Sequence, residues 1–166
     1  MATEFIDVAG DRIETLKELL RPGLRFIVVG LNPSPRSVLT GHYYQGVLGQ
    51  SFFRRLETSG IVGPLPRGRE DDAAFEQGIG FADLVRRPTA NAQGLTAVEI
   101  AAAVPDLLMR LGSTGDRPPI LFVFRVAANA VAQSLKDAGY GIFLMPRPYD
   151  QTENVERELA ALKAAL

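Results

Sequence analysis

The sequence predicts an α/β fold: a three-layer α/β/α sandwich around a mostly parallel, four-stranded central sheet. Two observations carry this. Four short apolar runs, rich in β-branched residues, read as buried strands. Stretches with helical spacing of apolar residues lie between them. Strands that alternate with helices imply right-handed crossovers, a parallel sheet and helices on both faces.

The first strand run is Arg25-Phe26-Ile27-Val28-Val29-Gly30. Gly80-Phe81-Ala82-Asp83-Leu84-Val85 is the second and weaker one. Pro119-Ile120-Leu121-Phe122-Val123-Phe124 and Gly141-Ile142-Phe143-Leu144-Met145 complete the set. Ahead of them, Ile13, Leu16, Leu19 and Leu20 share a helical face. Asp11 and Glu14 stand there at capping-box spacing and Pro22-Gly23 supplies a stop, so a helix is expected through residues 11–20. Phe52, Phe53 and Leu56 indicate a second helix. Thr96 and Glu99 form another capping box before Val104, Leu107, Leu108 and Leu111, with Pro105 as a point of kinking. Val126, Ala130, Val131 and Leu135 mark a helix that Gly139 ends, and Val155, Leu159, Leu162 and Leu166 mark the last. Residues 62–72 read as an exposed, mobile loop.

In such folds the site lies beyond the carboxyl ends of the strands. That rule selects residues 30–50, residues 85–95, the turn near Arg125 and residues 145–152.

Composition narrows the chemistry. The 166 residues suit one domain, 1–166, and 46% hydrophobic content is enough for a core at that size. With no Cys there are no disulfides, thiolate metal sites or cysteine nucleophiles. One histidine, His42, excludes a histidine-built metal site or a two-histidine mechanism within the chain. A net charge of −1 argues against coating nucleic acid by charge alone, though a local basic patch is compatible with it. No apolar run reaches the roughly 20 residues of a membrane span, and the first residues lack the pattern of a signal peptide. A cytoplasmic location is expected.

The loop after the first strand runs from Gly30-Leu31-Asn32-Pro33-Ser34-Pro35-Arg36-Ser37 to Thr40-Gly41-His42-Tyr43-Tyr44. Its glycines and prolines argue against a helix, and long loops in compact domains are commonly functional. Its side chains suit a flat polar ligand. The plainer alternative is that Asn32 and Ser37 only satisfy turn backbone. Neither Gly-x-x-x-x-Gly-Lys-Ser/Thr, Gly-x-Gly-x-x-Gly nor Gly-x-Ser-x-Gly occurs.

Gly30-Leu31-Asn32-Pro33, Ser37, Thr40-Gly41 and Phe52-Phe53 resemble the first motif of the mismatch-specific uracil/thymine-DNA glycosylases, in the uracil-DNA glycosylase superfamily. Gly80 to Thr89 is similar to that family's Gly-x-Thr-x-Leu-Val-x-Arg-Pro-Thr segment. The two blocks keep their order and spacing over roughly residues 24–111. The resemblance implies hydrolysis of the base–sugar bond of uracil in DNA, in base excision repair, by an enzyme that flips the base out and leaves an abasic site. It implies uracil-containing DNA as partner and free uracil as product, with no metal and no cofactor. A monomer is expected.

By the same resemblance, Asn32 positions the water. Asp83, near the end of the second strand, orients water or stabilises the cationic sugar; the alternatives for it are an ion pair with Arg86 or Arg87, or a turn cap. Tyr44 falls where a ring stacks on the base, with Tyr43 and His42 as close competitors. Ser37 and the backbone of Leu31 meet the base edge. Arg36 and Arg125 are candidate DNA contacts, with solvated surface arginine as the alternative.

The family's second motif resembles Pro-Asn-Pro-Ser-Gly-Leu-Ser, and here the chain departs from it. Met145-Pro146-Arg147-Pro148-Tyr149 keeps the prolines but has Arg147 at the Asn position, Tyr149 at the Ser position and no Leu wedge. Arg147 then holds a phosphate or the anionic base, Tyr149 replaces the wedge by stacking, or the activity is lost or changed. Two other functions remain open on sequence: a non-catalytic module that binds uracil or abasic DNA, and a small-molecule nucleobase hydrolase.

Overall fold

The computed structural model describes residues 2–145 and 152–166. It opens with an antiparallel hairpin where the sequence predicts a helix. Strands β1 (Thr3–Val8) and β2 (Asp11–Leu16) pair from Thr3↔Leu16 to Val8↔Asp11. Ala9 and Gly10 form the two-residue loop, with φ of 52° and 91°. Positive φ at both positions is the mark of a type I′ turn, whose twist suits a hairpin. The helix expected through residues 11–20 is therefore incorrect. Cross-strand pairing outweighs leucine spacing: Ile6 lies opposite Ile13, and the Arg12 guanidinium sits 4.7 Å from the Phe5 ring centre. Beyond the hairpin, Leu19 exchanges two backbone hydrogen bonds with Phe81, at 3.0 and 3.1 Å. This segment thus lines the edge of the main sheet.

The rest of the chain runs β3 (Phe26–Gly30), α1 (Pro35–Thr40), α2 (Val47–Thr58), α3 (Glu70–Glu76), β4 (Ile79–Asp83), a short 3-10 turn (Ala92–Gly94), α4 (Ala97–Ala102), α5 (Val104–Gly112), β5 (Ile120–Phe122), α6 (Arg125–Asp137), β6 (Ile142–Leu144) and α7 (Thr152–Ala164). The sheet order is β4-β3-β5-β6 and every pairing is parallel. All residues of β3, β4 and β5 are buried, which explains their unbroken apolar runs. Alternate side chains serve two cores. Ile27, Val29, Ala82, Ile120 and Phe122 pack with Leu107 and Leu111 of α5 and Val131 and Leu135 of α6. Phe26, Val28, Phe81 and Leu121 pack with Phe52, Phe53 and Leu56 of α2 and Leu159 and Leu162 of α7. This is the three-layer α/β/α sandwich the sequence predicts. Among the described residues no helix is long and apolar enough to cross a membrane.

Two loop expectations are corrected. Residues 30–50 are not free of helix. Ser34 caps α1 by accepting from the Ser37 N–H at 3.1 Å, Pro35 opens it, and Gly41 closes it in the left-handed conformation (φ 73°). The residues read as helix breakers are its start and stop signals. Residues 62–72 are not simply an exposed loop either. Glu70 and Asp71 are buried in the first turn of α3, where carboxylates suit the positive helix end. Thr96 caps α4 as expected, and the helix breaks at Ala103, two residues before Pro105.

The edge pairing of Leu19 depends on the bare backbone of Gly80. A Cβ there would lie 2.6 Å from Leu24 Cδ1, 3.0 Å from the Leu19 carbonyl and 3.1 Å from Ile27 Cγ1. Gly80→Ala is expected to destabilise the fold by about 1–3 kcal/mol in chemical denaturation. An unchanged midpoint would show that the Leu19 segment yields without cost.

Candidate active site

β3 and β4 leave the sheet side by side. Gly30 lies opposite Asp83 in the register, and the ladder continues past both strands. Leu84 N–H donates to Gly30 O at 3.0 Å, Val85 N–H to Leu31 O at 2.9 Å and Thr89 N–H to Pro33 O at 3.2 Å. The two loops that carry the sequence motifs are therefore one joined structure, with Asn32 and Asp83 at the carboxyl end of adjacent strands.

Asn32 is half-buried, and its amide orientation is fixed by chemistry. Its Nδ2 donates to the Arg87 carbonyl at 2.9 Å and to Thr89 Oγ1 at 2.7 Å. The Arg87 carbonyl can only accept. Thr89 Oγ1 spends its own hydrogen on the Asn91 carbonyl at 2.7 Å, so towards Asn32 it also accepts. The NH2 must point at this pair. The Asn32 Oδ1, on the other side, accepts no hydrogen bond from the described residues and is free to hold a donor such as water.

Asp83 is buried, and neither ion pair considered for it forms. Arg86 donates to Glu4 at 2.6 Å and to the Leu16 carbonyl at 3.1 Å. Arg87 holds Glu99 through two bonds, at 2.7 and 2.9 Å. Arg110, paired with Glu18 and Asp106, donates to the carbonyls of Asp83 and Leu84, both at 3.1 Å. The Asp83 backbone is clamped, while Oδ2 of its carboxyl is buried with no hydrogen-bond partner among the described residues. Burial, reinforced by the negative charge of Glu18, pushes the Asp83 carboxyl up to about 8, against the weaker pull of Arg110 and Arg86.

Among the described residues the Tyr44 hydroxyl is the other buried side-chain polar group without a partner. Both crowd the space above Gly30. A Cβ at that position would collide with Asp83 Oδ1 and lie 2.8 Å from the Tyr44 hydroxyl. Burial, and then the charge on Asp83, hold the Tyr44 phenol well above its ordinary value.

The structure separates the three aromatic candidates. Tyr43 is core, its ring 5.5 Å from that of Phe81. His42 Nδ1 is 2.9 Å from Asp71 Oδ1, which ties it to α3. Tyr44 brings its hydroxyl to the space over Gly30 that Asp83 also occupies, and it does so from a strained backbone, with φ of 56°. Two acids that sequence reasoning missed hold this turn. Asp71, buried, accepts from the Tyr43 N–H at 2.8 Å as well as facing His42. Glu70, also buried, accepts from the Gly68 N–H at 2.9 Å and from Gln45 Nε2 at 3.4 Å. The run Glu70-Asp71-Asp72 was the available signal, but it sits in a stretch that reads as exposed. His42, Asp71 and Asp72 are also the group among the described residues with metal-ligand chemistry, within 4.8 Å of one another. Asp71 is already committed to the Tyr43 backbone and His42.

The remaining candidates are dispersed. Ser37 is buried, and its Oγ accepts from Ser34 Oγ at 3.1 Å inside the α1 cap. Leu31 turns its side chain into the core. Arg36 on α1 and Arg125 at the start of α6 are exposed. Arg147 and Tyr149 lie outside the described residues. A cleft of about 740 Å³, lined by Lys17, Glu18, Val38, His42, Arg69 and Asp72 among others, adjoins the α1–α3 side but does not include Asn32, Asp83 or Tyr44.

Comparison with protein families gives a match to the uracil DNA glycosylase superfamily over residues 18–164. It begins just after the hairpin and takes in Asn32, Asp83 and the acids that support Tyr44. A glycosylase kind of activity, the hydrolysis of a base–sugar bond in DNA, comes with that match. On this span, and with the fold agreeing, the chain belongs to the uracil DNA glycosylase superfamily.

Proposed function

We propose that the protein is a monofunctional glycosylase that removes uracil from DNA. The observation that carries this reading is the forced orientation of Asn32. An amide is too weak a base to deprotonate water, so it must act by position. With its NH2 fixed on Arg87 and Thr89, Oδ1 accepts a hydrogen bond from a water and turns a lone pair towards the sugar.

The base is flipped from the stack before reaction. The C1′–N1 bond breaks, and its electron pair leaves with uracil. The water oxygen then bonds to C1′ and gives up a proton to solvent, and the uracil anion is protonated on release. The product DNA carries an abasic site. Asp83, once ionised, faces the positive charge that develops on the sugar, and its low-dielectric setting strengthens that interaction. The Tyr44 ring, partly buried against Phe52, stacks on the flipped base through its remaining exposed face.

A module that only bound damaged DNA would have no use for a buried carboxyl without a partner. Such a group lowers stability and is a common mark of chemistry. This favours the enzyme over the binding module.

Asn32→Ala is expected to lower uracil release about 100-fold or more. The assay is single-turnover cleavage of a labelled oligonucleotide, with alkali revealing abasic sites. Release near the wild-type rate would remove Asn32 from the mechanism.

Asp83→Asn should raise stability while lowering activity. The folded carboxyl keeps its proton up to about 8, whereas an unfolded one releases it near 3.8. Between those values the folded state binds more protons, so stability falls as pH rises across that window. At neutral pH the cost is on the order of a few kcal/mol. The variant is expected to melt higher at pH 8 and to lose most of the pH dependence between pH 4 and 8. Wild-type excision should rise as pH approaches 8 and the carboxyl ionises, and the variant should lack that rise. An excision rate that falls through the same range would assign the working form of Asp83 to the neutral acid instead.

Loss of Asp71 probes the support of the turn. Asp71→Ala is expected to raise the KM for uracil-containing DNA by about tenfold, with kcat less affected, because Tyr44 loses its placement rather than its ring. A change confined to kcat would contradict this.

A further inference from the structure

A uracil that leaves a duplex opens a gap in the stack, and proteins that unstack DNA commonly fill such gaps with an apolar wedge. Residues 145–152 contain no leucine, and the aromatic they offer, Tyr149, lies outside the described residues. We propose that Phe124, at the carboxyl end of β5, is the wedge that enters the base stack of uracil-containing duplex DNA. The proposal rests on the glycosylase reading above.

Its position comes first. The sheet order puts β5 beside β3, the strand that leads to Asn32. Neighbouring strands are about 4.8 Å apart, roughly one to two base steps of about 3.4 Å along a DNA strand. Phe124 therefore stands beside the exit that carries Asn32, on the same end of the sheet, within reach of nucleotides that flank a flipped base.

Exposure is the second observation. Of the nine phenylalanines, Phe26, Phe52, Phe53, Phe81 and Phe122 are core, and Phe5, 56% exposed, lies on the hairpin beneath Arg12. Phe124 is 44% exposed and its neighbour Val126 is 48% exposed. The fully buried side chains of β5 end at Phe122.

Rigidity is the third. A wedge must hold its direction under load. Val123 N–H still donates to Val29 O at 3.3 Å, so the ladder to β3 extends to the residue before Phe124. The Phe124 carbonyl accepts from Ala128 N–H at 3.2 Å as the cap residue of α6. The ring thus projects from a backbone fixed on both sides.

Charge completes the case. Arg125 follows directly, is exposed, and among the described residues forms no ion pair. The first turn of α6 carries no acid. A cation there meets the unfavourable end of the helix dipole in the free protein, and a DNA phosphate beside the wedged step would relieve it. An exposed ring next to an unpaired arginine is chemistry for a base stack and its backbone, rather than for an apolar protein groove.

The test compares Phe124→Ala, Phe124→Leu and wild type on uracil in single strands and in U:A and U:G duplexes, under single-turnover conditions. Circular dichroism confirms folding, which the exposure of the ring favours. Phe124→Ala is expected to slow duplex excision about tenfold or more while single-strand excision stays within about twofold, because a single strand has no stack to hold open. Phe124→Leu should restore most of the duplex rate. Equal losses on both substrates, or no loss on either, would overturn the wedge. If wild type releases no uracil even from single strands, it is the glycosylase reading that fails. The wedge is then judged by 2-aminopurine placed beside uracil in a duplex. A fluorescence increase with wild type, but not with Phe124→Ala, supports it, and no increase with wild type overturns it.

Discussion

No side chain fits at position 30. Two buried polar groups, the carboxyl of Asp83 and the hydroxyl of Tyr44, occupy the space a Cβ would need. Glycine at the end of β3 lets a residue of the next strand and a residue of the following loop meet over bare backbone. The rest of the site is arranged around that meeting. The ladder beyond Gly30 and Asp83 joins the two loops, Asn32 is fixed by the second of them, and α3 presses the first into place.

The acids divide into two kinds. Asp71 and Glu70 are buried but satisfied: each accepts from backbone or side-chain donors of the loops they hold. Their burial produces order, and the strained φ of Tyr44 persists because the surroundings over-determine it. Asp83 is buried and unsatisfied. Arg110 lies close enough to donate to its carbonyl yet leaves the carboxyl unpaired. A protein selected only for stability would close that gap or replace the group, since an unpartnered buried polar atom costs about 1–3 kcal/mol and a charged one more. The supporting acids and the lone acid sit around the same turn, so the outlay in stability is concentrated at the candidate site.

Much of the fold was legible because its signals are local and redundant. The strands of a parallel sheet are buried on both faces and must be apolar throughout, so their runs stand out. Asn32 and Asp83 were legible from motif and from position at strand ends. The hairpin was not. Leu16, Leu19 and Leu20 have helical spacing, but Leu16 and Leu19 do different work, one closing a hairpin and the other lining the edge of β4. Only long-range pairing decides between those uses, and a single window cannot contain it. Asp71 was hidden for the same reason. Its partners are 28 and 29 residues away, and an acidic run after Pro-Arg-Gly reads as solvated until α3 is folded against the loop.

The two readings of Asn32 drawn from sequence, turn support or catalysis, are not rivals under the proposed function. An amide has two ends. Its donor end ties the β3 exit to the β4 exit, which is support in the plainest sense. That use of the donors is what leaves the acceptor oriented and unspent. Were the amide free to rotate, its oxygen would point at a water only part of the time, and positioning is all that so weak a base can offer. Under the proposed function the structural role is therefore the source of the chemical one. The same logic extends across the rim of the sheet. Gly30 creates contact by omission, Asp71 positions by accepting, and the β5 ladder ends where an exposed ring begins.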